Sequence, residues 1–508
     1  MKKNNRIENQ RLQMGAPGLD DILSGGLIAH RLYLVEGHPG SGKTTLSLQF
    51  LLEGIKRQEK CLYVTLSETK EELSAGAESH GWSLDAVTII ELMPDSKELD
   101  GNARVTMYHP SEVELSETTK RVLDAVEKFK PSRIVFDSLS EVRLLAQNPF
   151  RYRRQILALK QFFIGRQCTV LLLDDGSAEG VDLQLHSIAH GVISLEQVSS
   201  GYGAERRRLR ITKFRGTDFR GGYHDFRIQR GGLIVFPRLV ATEHREAFGP
   251  AQVKSGVAAL DTLLGGGPDR GTSTLLMGPA GSGKSTIAAQ YVVAAANRGE
   301  HGAIFAFDES VPSLEARTKG LGIKLKEARQ AGLVDVQQVN PAELSPGEFA
   351  YLVRQSVEND QARVIVIDSL NGYVNAMPEE RFLTVHLHEL LTYLGQQGVT
   401  TLMMAAQHGL IGSNMQSAFD TSYLADSVIM LCYFEYAGKV KKAISVVKKR
   451  TGAHEESIRE LQFDSNEGIR LSEPLTQFRG IMTGTLVETE GEKRHRNRAK
   501  KADGNARA

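Results

Sequence analysis

Cysteine is scarce in this chain: Cys61, Cys168 and Cys432 are the only three in 508 residues. They are far apart and lie in apolar runs. That spacing excludes a disulfide framework and a cysteine-based zinc site, and predicts buried thiols in a reducing compartment. Charge of one sign is also lacking. Lys and Arg number 62 against 61 Asp and Glu, a formal net charge of +1, so no global field calls for nucleic acid or an anionic membrane. No apolar run is long enough to span a bilayer. The opening MKKNNRIENQ has a basic start with no apolar core behind it, unlike a signal peptide. Together these absences predict a cytoplasmic protein with no membrane partner.

What is present is glycine at a telling spacing. G-x-x-x-x-G-K-[ST] occurs twice, over Gly37, Gly40, Ser41, Gly42, Lys43 and Thr44, and over Gly278, Gly281, Ser282, Gly283, Lys284 and Ser285. Thr45 and Thr286 follow. Glycines let the backbone curl so that several N–H groups face one anion, and the following helix adds the positive end of its dipole. Each loop predicts an ATP site in which Lys43 or Lys284 reaches the β/γ-phosphates and the hydroxyl of Thr44 or Ser285 holds Mg²⁺. The context agrees: RLYLVEG and STLLMG read as buried strands before the loops, and helical patterns follow them.

The second loop belongs to a duplication. Lys43 to Lys284, Gly15 to Gly256, Asp20 to Asp261, Glu68 to Glu309 and Gly81 to Gly322 all share an offset of 241. Later features drift, as surface insertions and deletions would make them: Asp137 to Asp368 is 231 and Lys213 to Lys448 is 235. Within each copy strands alternate with helices, which predicts an α/β domain with a largely parallel sheet and a strand-rich finish closed by a Gly-Gly hairpin. The boundaries expected are 1–240, 241–485 and a disordered basic tail over 486–508.

Three further sets of residues bear on chemistry. RIVFD and VIVID end in Asp137 and Asp368, apolar strands whose terminal carboxylate sits beside Mg²⁺ or its water. VTLSE and FAFDE end in Glu68 and in Asp308-Glu309, carboxylates placed to take a proton from an attacking water or hydroxyl. KFRGT and KKRTG present Lys213 with Arg215, and Lys448 with Arg450. Two residues apart in a strand, each pair shares one side, as an arginine finger reaching a neighbouring subunit's nucleotide would require.

With these residues assembled, the chain resembles the KaiC family of circadian-clock-type ATPases, within the RecA/RadA superfamily. The marks are the doubled openings GLDDILSGGL and VAALDTLLGGG, both loops, the acidic residues, and KFRGT and KKRTG. The resemblance implies two tandem RecA-like P-loop NTPase domains, each a mostly parallel twisted sheet flanked by helices. It implies a homohexamer of two stacked rings with ATP between subunits, a slow ATPase in the N-terminal ring and a serine/threonine autokinase in the C-terminal ring. Carried over, Lys213, Phe214, Arg215, Thr217, Lys442, Lys448, Lys449 and Arg450 would bind ATP, chiefly that of the adjacent subunit. Ser79 would lie near the first nucleotide, and Asp308 near Mg²⁺ in the second site. The family's phosphoacceptor stretch reads DTSYLADSV here, which makes Ser422 the expected acceptor. A KaiB-like regulatory protein is the partner implied.

The chain also departs from the family. Ser67 stands where a glutamate is usual, leaving Glu68 alone, and Asp308 is one methylene shorter than the usual residue. Leu321 replaces an aromatic, which predicts weaker adenine stacking, and Phe219 replaces a histidine. The competing class is a RadA- or helicase-like DNA-dependent ATPase. Its best support is RYRRQ at Arg151 to Gln155, but near-neutral charge makes nucleic acid an unexpected partner.

Overall fold

The apolar runs in front of both glycine-rich loops become inner strands of two nine-stranded sheets. The computed structural model describes residues 10–92, 110–146, 148–176, 183–199, 203–340, 342–375, 383–407, 423–465, 467–482 and 486–488. The expected acceptor Ser422 and all of the basic tail after residue 488 lie outside them. The chain divides into two compact units, Met1–Arg238 and Leu239–Ala508.

In the first unit Thr88–Glu91, Cys61–Thr65, Arg133–Asp137, Thr169–Asp175, Leu32–Gly37 and Gly191–Val198 lie side by side and parallel. Arg206–Phe214, Tyr223–Gln229 and Gly232–Phe236 extend the sheet antiparallel. The second unit repeats that order. Val334–Gln338, His301–Ala306, Ala362–Asp368, Thr400–Ala406, Ser273–Gly278 and Ser427–Tyr436 are parallel. Lys439–Lys449, Arg459–Asp464 and Gly468–Pro474 follow antiparallel. The expectation of two duplicated α/β domains is met, strand for strand.

Helices cover both faces of the parallel part, so its strands read as unbroken apolar runs. Along Leu32–Gly37, Tyr33 and Val35 pack with Leu46 and Phe50 of helix Lys43–Lys56. Leu32 and Leu34 point the other way, toward Ile156, Leu159 and Phe163 of helix Pro149–Gly165. Each fully buried side chain of this size contributes about 1.5–3 kcal/mol.

The doubled sequence openings have a structural job. Asp20 Oδ1 accepts from the Met14 N–H at 2.9 Å, and Asp261 Oδ1 from the Ser255 N–H at 2.8 Å. Gln49 and Gln290 donate to the Gly15 and Ser255 carbonyls, which ties each loop's helix to its own opening. The hairpin needs a correction. Its turn is Arg230-Gly231, because Gly232 already pairs with Gln229. Gly232 is glycine for another reason: at φ 106 a Cβ would lie 2.5 Å from the Trp82 ring.

Candidate functional site

Each phosphate loop leaves the C-terminal end of an inner strand and turns into a helix through a left-handed glycine. Gly42 has φ 98 and Gly283 φ 110. A Cβ on Gly283 would sit 2.2 Å from the Phe463 ring, so both conformation and space demand glycine. The lysine that follows each glycine folds back over its loop. Lys43 Nζ donates to the Gly37 and His38 carbonyls at 2.7 and 3.1 Å, and Lys284 Nζ to those of Gly278 and Pro279 at 2.8 and 2.9 Å. Burial lowers the Lys284 pKa. The hydroxyls of Ser41 and Ser282 are buried with no hydrogen-bond partner. Such orphaned donors at matched loop positions suit an anionic ligand.

The predicted strand-end carboxylates stand beside these loops. Asp137 is 7% exposed and accepts from the Tyr63 hydroxyl at 2.5 Å. Burial pushes its pKa up, against the pull of Tyr63 and Lys43. Asp368 is also raised by burial, opposed by a hydrogen bond from Ser285 and by Arg317 and Lys284. Glu68 is raised by burial first, then by the negative charge of Asp137 and Glu72. Asp308 is exposed and accepts from the Ser369 hydroxyl at 2.6 Å.

The two sites differ in how the empty pocket is balanced. In the first, Asp175 Oδ1 lies 2.8 Å from Lys43 Nζ. The sheet brings it there, because Asp175 pairs in register with Gly37. The residue in register with Gly278 is Ala406, so that position offers the second lysine no acid. In the second, Arg317 closes on Glu309, with Nη2 to Oε2 at 2.7 Å and Nε to Oε1 at 3.2 Å. The matching first-repeat position is Gly76, where a Cβ would meet nothing within 4 Å. A cavity of about 340 Å³ surrounds Lys284, Ser285, Thr286, Glu309, Arg317, Lys442 and Phe463. Sequence reading missed Arg317, Asp175 and Phe463. Leu321 lines the cavity as expected of its position, but Phe463 brings an aromatic ring to it from another strand.

The finger residues lie elsewhere. The Arg215 N–H donates to the His190 carbonyl, and the His190 N–H to that of Leu32, at the start of the strand whose far end carries the first loop. In the second repeat Arg450 reaches Asp426 and Asp426 reaches Ser273 in the same way. Five residues of strand separate Leu32 from Gly37 and Ser273 from Gly278, about 17 Å. Lys213 Nζ is held by the His186 and Ala189 carbonyls, and Arg215 by that of Ser187. Thr217 accepts from Arg11, and Lys448 donates to the Ala425 carbonyl. Arg450 is half exposed, close to Asp426 and the Tyr423 carbonyl.

Some expected ligands are placed differently. The Lys449 side chain is 1% exposed and tied to the Leu264 and Gly267 carbonyls, so its ammonium braces its own domain. Phe214 is buried with its ring stacked on Tyr33, which leaves only its main chain for a ligand. Lys442 lines its own repeat's cavity, over the Phe463 ring. The Ser79 hydroxyl is engaged with the Gly76 carbonyl. RYRRQ lies on helix Pro149–Gly165 with Tyr152 buried, a packed element and not a basic loop.

Fold and loops together define a P-loop ATPase with two nucleotide sites in one chain. The family model described as "ATPase: KaiC" matches residues 12–240 and 253–476, and the chain belongs to that family. It is similar to "Circadian clock protein KaiC3" of Synechocystis sp., at 26% identity over 94% of this chain and 95% of that one. It is also similar to "Circadian clock oscillator protein KaiC" of Acaryochloris marina, 27% identical over 95% and 93%. The protein of the same name from Synechococcus elongatus gives the same three figures. No helix among the described residues is long and apolar enough to cross a membrane.

Proposed function

We propose that the chain is a homohexameric, Mg²⁺-dependent ATPase whose second repeat also transfers phosphate to a serine of its own assembly, in a signalling or timing role. One observation supports assembly above the rest. In both repeats the Lys-x-Arg pair sits at the opposite end of the sheet from its own loop, about 17 Å of strand away, so it fits another chain's nucleotide. Six subunits and a KaiB-like partner are what the resemblance to the family implies, and the clock names of the relatives support the timing role.

The donor set fits Mg²⁺: the hydroxyl of Thr44 or Ser285 and the carboxylate of Asp137 or Asp368 are hard oxygen donors that would hold the ion together with phosphate and water oxygens. Bound there, the ion would neutralise charge on the β- and γ-oxygens. The chain's own residues supply the rest. Lys43 or Lys284 leaves its loop carbonyls for the phosphates. In hydrolysis Glu68 takes the proton of the attacking water as its oxygen bonds to the γ-phosphorus and the bond to the β-phosphate oxygen breaks, releasing ADP. In autophosphorylation Asp308 or Glu309 takes the proton of a serine hydroxyl, Ser422 being the expected acceptor. Here Lys448 and Arg450 come from the neighbouring subunit.

Light scattering with and without Mg·ATP, followed by peptide mass spectrometry, tests the reading. Nucleotide-dependent hexamers and phosphate on Ser422 are the expected results. A monomer at saturating Mg·ATP removes the assembly. ATP consumption without phosphate on the protein leaves an ATPase and removes the kinase.

A further inference from the structure

Arg317 stands on helix Val311–Lys319 and reaches across the second cavity. Its guanidinium forks onto both Glu309 oxygens while Nη1 donates to Thr286 Oγ1 at 2.6 Å. Thr286 belongs to the first turn of the helix that leaves the phosphate loop. One side chain therefore bridges the carboxylate expected to take a proton and the ground on which phosphates would rest. The pair is 32% and 26% exposed, so water reaches both partners and the contact can be exchanged. A guanidinium fork fits phosphate oxygens as well as carboxylate oxygens, and a triphosphate carries more charge than one glutamate. The first repeat has no such device. It has Gly76 at the matching position, and no cation pairs with the Glu68 carboxylate among the described residues.

We propose that Arg317 is a phosphate-binding residue of the second site that exchanges Glu309 for the nucleotide, so that Glu309 is released only when the pocket is filled. The proposal rests on the second pocket taking ATP. It makes Arg317 a ligand contact for ATP and a positioning residue for Glu309. The cost of breaking the ion pair is set against the new phosphate contacts, so occupancy and the freedom of the carboxylate rise together.

The test uses the full chain with Lys43→Ala, which silences the first loop, at protein concentrations where light scattering shows the chains assembled. Binding of a fluorescent N-methylanthraniloyl ATP is measured alongside ATP turnover. Arg317→Met is expected to weaken binding and raise KM about tenfold while kcat stays within twofold, and Arg317→Lys to recover part of the loss. Glu309→Gln frees the guanidinium in advance. It is expected to tighten binding about threefold, and to do so far less when combined with Arg317→Met. Melting curves without nucleotide confirm that each variant is folded. Should Arg317→Met fail to fold, Arg317→Lys and Glu309→Gln decide alone, and Glu309→Gln must tighten binding. Unchanged KM in Arg317→Met, or an equal Glu309→Gln effect in both backgrounds, overturns the proposal. No binding by the assembled Lys43→Ala parent removes the ATP reading of the pocket, and the proposal with it.

Discussion

The two empty pockets carry the same loop and opposite guards. In the first repeat an acid, Asp175, holds the loop lysine. In the second an arginine, Arg317, holds the acid, and the loop lysine is held by main-chain oxygens. A ligand entering the first site must draw Lys43 from a carboxylate; one entering the second must draw Arg317 from one. Duplication preserved the scaffold down to strand order, and two of the side chains that diverged stand at the pocket's edge. Sites built alike can thus respond unequally to one nucleotide pool.

The strongest way to break this comparison is to remove each loop's lysine. Lys284→Ala is expected to lower phosphate incorporation at least a hundredfold, by loss of transition-state charge stabilisation. Lys43→Ala is expected mainly to weaken nucleotide-dependent assembly. Phosphopeptide quantification and light scattering separate the two, and equal effects from both changes would erase the division of roles.

A smaller effect is expected from releasing Lys43. Asp175→Asn should tighten ATP binding at the first site about three- to fivefold, a modest gain because Asp175 is 46% exposed and its ion pair is screened. The reverse graft, Ala406→Asp, should weaken the second site by a similar factor. Nucleotide titrations with the other loop silenced read both. Gly76→Arg sharpens the same contrast. Open space receives the side chain, so first-site binding should tighten severalfold, and helix Lys70–Ser79 should gain about 0.5–1 kcal/mol from losing a glycine.

The smallest effect concerns charge alone. Burial raises the Asp137 pKa, so folding favours its protonated form. That contribution is full below the unfolded aspartate value of about 3.9 and is lost as pH rises through the higher folded value. At neutral pH only the cost of a buried charge remains. Asp137→Asn should therefore raise the nucleotide-free melting temperature by about 2–4 °C at pH 7. The gain should fade in mild acid, although the variant loses turnover. A lower melting temperature at pH 7 would show that Tyr63 and Lys43 outweigh burial.

Local pattern made much of this legible in sequence. Arg133–Asp137, Thr169–Asp175 and Ser427–Tyr436 begin and end where their apolar runs do, because parallel strands buried on both faces admit little else. The loops were legible because glycine spacing is their mechanism. The guards were not. Asp175 lies far along the chain from Lys43, and only the adjacency of their strands makes it a partner. Arg317 keeps the offset of 241 from Gly76, but on a helix an arginine reads first as a solvated charge. Lys449 looked like its neighbours Lys448 and Arg450, yet strand alternation turned it inward.

The remoteness of each Lys-x-Arg pair from its own loop has a genetic consequence. A chain with a dead loop still carries intact fingers, and a chain with dead fingers still carries an intact loop. Mixed together, Lys43→Ala and Lys213→Ala/Arg215→Ala chains, each also carrying Lys284→Ala to silence the second loop, should recover first-site turnover that neither has alone. Yield should peak near equal proportions and fade when either defective parent is in excess. Two broken copies would then make a working enzyme, and a dominant-negative allele at one position could be rescued by an allele at the other.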